Sequence, residues 1–217
     1  MEWFMHIIDF FIHLDDHIGT LIQNYGGLTY LIVFLIIFCE TGLVFMPFLP
    51  GDSLLFVMGI FSATGDLDLK LVLGLLFVAA ILGDTVNYWV GHFLAAKVRR
   101  KEHILFVKDE HLRRTQKFYD KYGAYTIIIA RFVPIIRTVA PFLAGAGSMT
   151  YPKFIFYNLL GGTIWVLLFV LMGYFFGNLP FVEKNFSLVI LLIIFISIIP
   201  IVTELWRNRH EFKAGTT

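Results

Sequence analysis

FCETGLVFMPFLPGDSLLFVMG (residues 38–59) and ARFVPIIRTVAPFLAGAG (residues 130–147) are two apolar runs, each broken by prolines and each charged with one sign only. The first holds the acids Glu40 and Asp52, the second the bases Arg131 and Arg137. Ionisable side chains at membrane depth cost about 2.5–3.5 kcal/mol each on insertion scales and mark substrate or ion pathways. Sorted by sign onto two broken segments, they point to a transport device and not to an anchor.

The rest of the chain supplies the membrane setting. Of 217 residues 58% are hydrophobic, 17% aromatic and only 15% charged, with a mean hydropathy of +0.78. This is the composition of an integral membrane protein, and the length suits one compact all-α domain. The net charge of +1 says little; its distribution says more. No Lys or Arg precedes Lys70, nine of the seventeen lie between Lys97 and Lys121, and Arg207, Arg209 and Lys213 follow near the end. The positive-inside rule puts both clusters in the cytoplasm and the N-terminal third outside. The lone cysteine, Cys39, forms no intrachain disulfide and reads as a small apolar residue, and no spaced Cys/His set suggests a metal. The N-terminus lacks the basic region of a signal peptide, so insertion is expected through the internal apolar segments.

Working outward, residues 1–24 are amphipathic at helical spacing. Trp3, Ile7, Phe11, Leu14, Ile18 and Leu21 lie on one face, with His6, Asp9, His13, Asp16 and His17 opposite. An interfacial helix on the outer surface is expected; a helix packed onto a partner is the alternative. Residues 28–63 read as a first re-entrant hairpin, its tip near Pro47, Pro50, Gly51 and Asp52, because the halves on either side are too short to span. Residues 71–96 read as a full transmembrane helix and 97–121 as a basic cytoplasmic connector. Residues 122–149 read as a second re-entrant hairpin, broken at Pro134 and Pro141. Residues 154–177 and 185–204 read as further transmembrane helices, and 205–217 as a cytoplasmic tail. Broken backbone at this depth is tolerated only where protein or a watery cavity covers it.

The halves look like repeats. Met46-Pro47, Gly59 and Ser62 align with Val133-Pro134, Gly145 and Ser148, and Leu82-Gly83-Asp84-Thr85 aligns with Leu160-Gly161-Gly162-Thr163. One crossing separates the hairpins, so the copies would be inverted, a recurrent transporter plan.

The runs FCETGLVFMPFLPGDSLLF, GDTVNYWVG (83–91) and ARFVPIIRTVAPFLAG are similar to those of the DedA family of bacterial membrane proteins, with its VTT/SNARE-associated-type domain, over essentially the whole chain. The resemblance implies two facing re-entrant hairpins, as in related eukaryotic lipid scramblases, and lipid translocation without enzymatic chemistry. It also implies a multi-pass place in the bacterial plasma (inner) membrane. Family members are associated with recycling of undecaprenyl phosphate in cell-wall synthesis. Others are linked to phosphatidylethanolamine movement, to proton-motive-force homeostasis and to resistance to cationic compounds. The family's acidic and arginine pairs fall here on Glu40, Asp52, Arg131 and Arg137.

Residue chemistry agrees with a phosphorylated ligand. Guanidinium forks match phosphate oxygens bidentately and keep their charge in apolar surroundings. Two arginines roughly neutralise a phosphate monoester. The plain alternative is that Arg131 and Arg137 pair permanently with Glu40 or Asp52. Glu40, at the end of a long apolar run, is the first candidate to carry a proton, with Asp52 the second; each is alternatively a fixed structural acid, Asp52 as a helix N-cap. Asp84 either lines the pathway or bonds to Asn87 or Thr85. The glycines, among them Gly59, Gly74, Gly91, Gly145 and Gly173, are expected to allow close helix packing.

The expectation is therefore an all-α flippase for undecaprenyl phosphate, proton-coupled, with no cofactor, metal or nucleic acid, a cytoplasmic C-terminus and compatibility with a homodimer. Its rivals are a phosphatidylethanolamine flippase or scramblase, a proton-coupled antiporter of small cations, an intramembrane lipid phosphatase and a purely structural protein.

Overall fold

In the computed structural model, residues 14–43, 51–99, 123–147, 149–177, 179, 180 and 182 are described. Among them the chain is all helix and loop: α1 (Leu14–Tyr25), α2 (Leu28–Gly42), α3 (Gly51–Ala63), α4 (Leu69–Arg99), a 3-10 turn (Gly123–Tyr125), α5 (Thr126–Ala130), α6 (Pro134–Ala146) and α7 (Tyr151–Phe176). Two stretches are long and apolar enough to cross a membrane, Leu69–Ala95 and Tyr151–Phe176, of 27 and 26 residues and each with a mean hydropathy of 2.1. Large apolar side chains stay exposed along both, including Leu71, Val78 and Phe93 on α4 and Phe156, Ile164 and Phe175 on α7. Outward surfaces of that kind suit lipid, not water. Helices long and apolar enough to cross thus lie where spans are expected, at 71–96 and 154–177, with slightly different ends. Those at 185–204, the tail at 205–217 and nearly all of the connector lie outside the described residues.

α2 and α3 have 15 and 13 residues, and α6 has 13. At 1.5 Å per residue each is about 20 Å long, short of the roughly 30 Å hydrocarbon core. These short helices pack in a reciprocal pattern. α2 lies on α4 and α3 on α7, while α5 lies on α7 and α6 on α4. Glycines close two of the contacts. A Cβ at Gly59 would fall on the Val170 carbonyl and the backbone of Gly173, and one at Gly173 on the Phe56 carbonyl. In the other half, a Cβ at Gly145 would strike the Tyr88 carbonyl and one at Gly91 the Phe142 carbonyl. Gly74 differs from the expectation, since it faces open space.

α1 turns its apolar stripe into the protein. Ile18 is buried and Leu21 and Ile22 pack on the core beside α2 and α3. Gly26, at φ 51°, ends it as the sequence suggests. The loop before α4 is held where Asp68 accepts the amide of Leu71 at 2.8 Å and donates its own amide to the Tyr30 hydroxyl at 2.8 Å. Two core clusters result, the larger around Val33, Leu55, Met58, Leu76, Trp165 and Val170, the smaller around Tyr88, Ile127, Ala144 and Phe154.

The break in the second half falls at one of the two expected prolines. Val133 is extended (φ −125°, ψ 105°) because a residue before proline is driven from the helical region, and Pro134 opens α6. Pro141 lies inside α6 and does not break it. Its missing N–H leaves the Arg137 carbonyl without its helical donor. One residue on, Asn87 Nδ2 of α4 donates to the Thr138 carbonyl at 2.6 Å.

Candidate functional site: a buried arginine–carboxylate cluster

The chain breaks deliver the charged residues to one place. Glu40 sits in the last turn of α2 and Asp52 in the first turn of α3. A carboxylate suits that position, since the first turn of a helix is electropositive. Arg131 is at the end of α5 and Arg137 in the first turns of α6, so the extended Val133 between them frees both from a single helical phase. All four are buried, with Asp84 of α4, at 2–8% exposure.

Arg137 joins the two acids of the first half. Its Nη2 lies 2.5 Å from Glu40 Oε1 and its Nη1 donates to Asp52 Oδ1 at 3.0 Å. Arg131 takes a different set, pairing through Nη2 with Asp84 and with Asn158 Oδ1 of α7. Of the sequence alternatives, pairing with Glu40 and Asp52 therefore holds for Arg137 and not for Arg131. Asp84 does not bond to Asn87 or Thr85. Thr85 donates to the Ile81 carbonyl at 2.7 Å, and Asn87 Nδ2 donates to the carbonyls of Thr41 (3.2 Å) and Thr138.

The backbone is shaped to these side chains. The Gly51 amide donates to Glu40 Oε1 at 3.0 Å, and a Cβ at Gly51 would run into the Glu40 carboxylate and Arg137 Nη2. Gly161 and Gly162 leave room for the Arg131 side chain against α7. Of the residues expected to shape the hairpins, Gly51 opens α3 and Pro134 opens α6, Pro141 lies inside α6, and Pro47 and Pro50 lie outside the described residues.

Trp165 was not singled out by the sequence reading, yet it closes the cluster. Its indole Nε1 donates to Asp52 Oδ1 at 2.8 Å, and its ring lies against the guanidinium of Arg137, 4.8 Å from centroid to Cζ. A signal was available. Trp favours the two membrane interfaces, and Trp165 stands in the middle of the uncharged stretch 154–177, where a buried indole N–H needs an acceptor. Asn158 and Asn87 carry the same signal. Asn87 of α4 reaches the Thr138 carbonyl of α6, and Trp165 of α7 reaches Asp52 of α3.

Thr41, Asp84, Arg131, Arg137 and Trp165 enclose a void of about 10 Å³, space for roughly one water. Around it several buried polar atoms have no hydrogen-bond partner among the described residues: Arg131 Nε, Arg137 Nη2 and Glu40 Oε2. Arg137 Nη2 is held by the Glu40 carboxylate, 2.5 Å away. A wider concavity of about 400 Å³ lies on the outer face of α7 among Ile164, Leu168, Met172 and Phe175, all apolar. It offers no chemistry; the charged cluster does.

The VTT domain profile matches residues 49–175, which contain most of this cluster. The chain is similar to Protein DedA of Escherichia coli K12, 47% identical over 212 residues and 97% of each chain. It is similar to the uncharacterized membrane protein ML0287 of Mycobacterium leprae, 39% identical over 80% of this chain and 78% of that one. It is also similar to the inner membrane protein YqjA of E. coli K12, 34% identical over 71% and 70%. No solved structure matches it significantly.

Proposed function

Because this chain belongs to the DedA family of VTT-domain membrane proteins, we propose that it is a flippase that moves a lipid with a phosphorylated headgroup across the bacterial inner membrane, with undecaprenyl phosphate as its cargo. One observation carries the headgroup reading. Two buried guanidinium groups line one void: Arg131 keeps its Nε without a hydrogen-bond partner among the described residues, and Arg137 holds the Glu40 and Asp52 carboxylates that an anion would replace. Buried N–H donors on a cation suit an oxyanion. The family resemblance, and not the geometry, is what favours the polyprenyl carrier.

In the described form the acids hold the clamp and a phosphate has no room. Binding therefore requires Arg137 to exchange Glu40 and Asp52 for phosphate oxygens while the tail stays in lipid. Charge balance supports proton coupling. Three carboxylates, Glu40, Asp52 and Asp84, surround two arginines, so the ionised cluster already carries an excess negative charge. An anionic headgroup joins it only as carboxylates take up protons, because buried uncompensated charge is strongly unfavourable. The reciprocal packing of the short helices, with its paired glycines, supports reading α2–α3 and α5–α6 as inverted re-entrant hairpins around this site.

The same carboxylate excess favours a second reading. Phosphatidylethanolamine brings an ammonium for the spare acid together with a phosphate for the arginines. Flipping of labelled undecaprenyl phosphate in reconstituted vesicles tests the proposal. Wild type flips it faster under an imposed proton gradient, and Arg131→Ala and Arg137→Ala do not. Unchanged flipping in those variants would sink the clamp, and preferential competition by phosphatidylethanolamine would shift the cargo to the second reading.

A further inference from the structure

The run GDTVNYWVG (83–91) places Gly83, Asn87 and Gly91 on one stripe of α4, spaced i, i+4, i+8. The two glycines bring a short helix close on either side of Asn87. A Cβ at Gly83 would strike Thr41 Oγ1 and the Phe38 carbonyl of α2, and one at Gly91 the Phe142 carbonyl of α6. Between them the Asn87 side chain is wholly buried, and its Nδ2 donates to the carbonyls of Thr41 at 3.2 Å and Thr138 at 2.6 Å. Thr41 follows Glu40 in the chain, and Thr138 follows Arg137. Resting on the clamp reading above, we propose that Asn87 is a positioning residue for the Glu40–Arg137 pair: it ties the backbones of both partners to one point of α4 and so holds Arg137 on its own carboxylate until a phosphorylated headgroup displaces it.

Chemistry fixes the direction of these bonds, since a carbonyl only accepts and only the nitrogen of the amide donates. Thr41 lies in the last turn of α2, where a helix leaves carbonyls without an intrahelical donor. Packing alone does not call for an amide here. Asn87 Oδ1 is buried with no hydrogen-bond partner among the described residues, an unfavourable state that a leucine of similar size would avoid. What the side chain supplies is a link. Both α2 and α6 lie on α4, and Asn87 joins one to the other beside the charged pair.

The link sets the sign of its effect. Glu40 holds the Arg137 nitrogen that a headgroup oxygen would take, so the two compete. A partner already held in place competes better than one that must be ordered each time. Cutting the tie weakens Glu40 as a competitor and leaves Arg137 itself unchanged. Loss of this buried side chain should accordingly strengthen ligand binding, whereas damage to the fold alone would weaken it or leave it as it was.

The test is equilibrium binding of monododecyl phosphate to the purified full chain in nanodiscs at neutral pH, with thermal unfolding measured alongside. Asn87→Leu should bind about tenfold more tightly than wild type. In a Glu40→Gln background, where the competing charge is gone, Asn87→Leu should change the affinity by less than about twofold, a non-additivity that a merely structural role would not produce. Asn87→Ser, too short to reach both carbonyls, should shift binding in the same direction and serves if Asn87→Leu yields no folded protein. Equal or weaker binding by the Asn87 variants, with wild-type binding intact, overturns the role of Asn87 and leaves the clamp standing. So does a gain that persists in full beside Glu40→Gln, and so does failure of both variants to fold, which would assign Asn87 to the fold alone. If wild type binds no better than Arg137→Ala, the clamp reading itself fails and this inference with it.

Discussion

Arg131 is held by a carboxylate on one long helix and an amide on the other, Asp84 of α4 and Asn158 of α7. Its removal leaves the Asp84 charge buried and uncompensated, and breaking such a pair destabilises by about 3–5 kcal/mol. Arg131→Ala is accordingly expected to lower the thermal unfolding temperature of the detergent-purified protein sharply. Arg131→Ala combined with Asp84→Asn should recover much of the loss, because the orphaned charge is gone. Equal unfolding temperatures for Arg131→Ala and wild type would show that the pair contributes nothing to the fold. Gly51 makes the same point for the other arginine. Any side chain there occupies the space of the Glu40 carboxylate, so Gly51→Ala should destabilise by roughly 1–3 kcal/mol, as overpacking does, in the same assay.

At the scale of elements, the glycines divide into those that let helices touch and those that do not. Gly173 lets α7 approach α3, whereas Gly74 faces nothing within 4 Å. Gly173→Val is expected to reduce stability and yield of the folded protein, while Gly74→Ala is neutral or slightly stabilising; thermal unfolding of the two variants side by side checks the contrast. The sequence made the long helices legible through apolar length, despite Asp84 within α4, and the starts of α3 and α6 through Gly51 and Pro134. It misled at Pro141, since a proline announces a lost hydrogen bond, here at the Arg137 carbonyl, and yet α6 continues through it. The cluster was half legible for a related reason. Sign segregation drew Glu40, Asp52, Arg131 and Arg137 together, and the short spacing of Asp84 to Asn87 and Thr85 suggested local bonds. Which acid meets which arginine depends on the packing of α2, α4 and α6, and no pattern within one segment carries that. Trp165 and Asn158 were legible in principle as polar groups within an apolar span, but an eye set on charge passes over them.

At the scale of the molecule, α3 lies on α7 and α6 on α4, and the charges of the two broken segments meet in one buried cluster. The first half brings three carboxylates and the second two arginines. This imbalance makes a prediction about protons. Binding of an anionic headgroup should be accompanied by net proton uptake and should weaken as pH rises. Titration calorimetry in buffers of different ionisation enthalpy reads that uptake directly, and binding with no buffer dependence would remove the physical basis for coupling. The measurement that tests the central claim most directly compares the affinity of the nanodisc-embedded protein for undecaprenyl phosphate with that for undecaprenol, the same tail without the phosphate. If the two arginines exchange their carboxylates for the headgroup, the phosphate should be preferred by on the order of a hundredfold, at about tenfold or more per charged hydrogen bond, and Arg137→Ala should lose most of that preference. Equal affinity for the two lipids, or a preference unchanged in Arg137→Ala, would contradict the account.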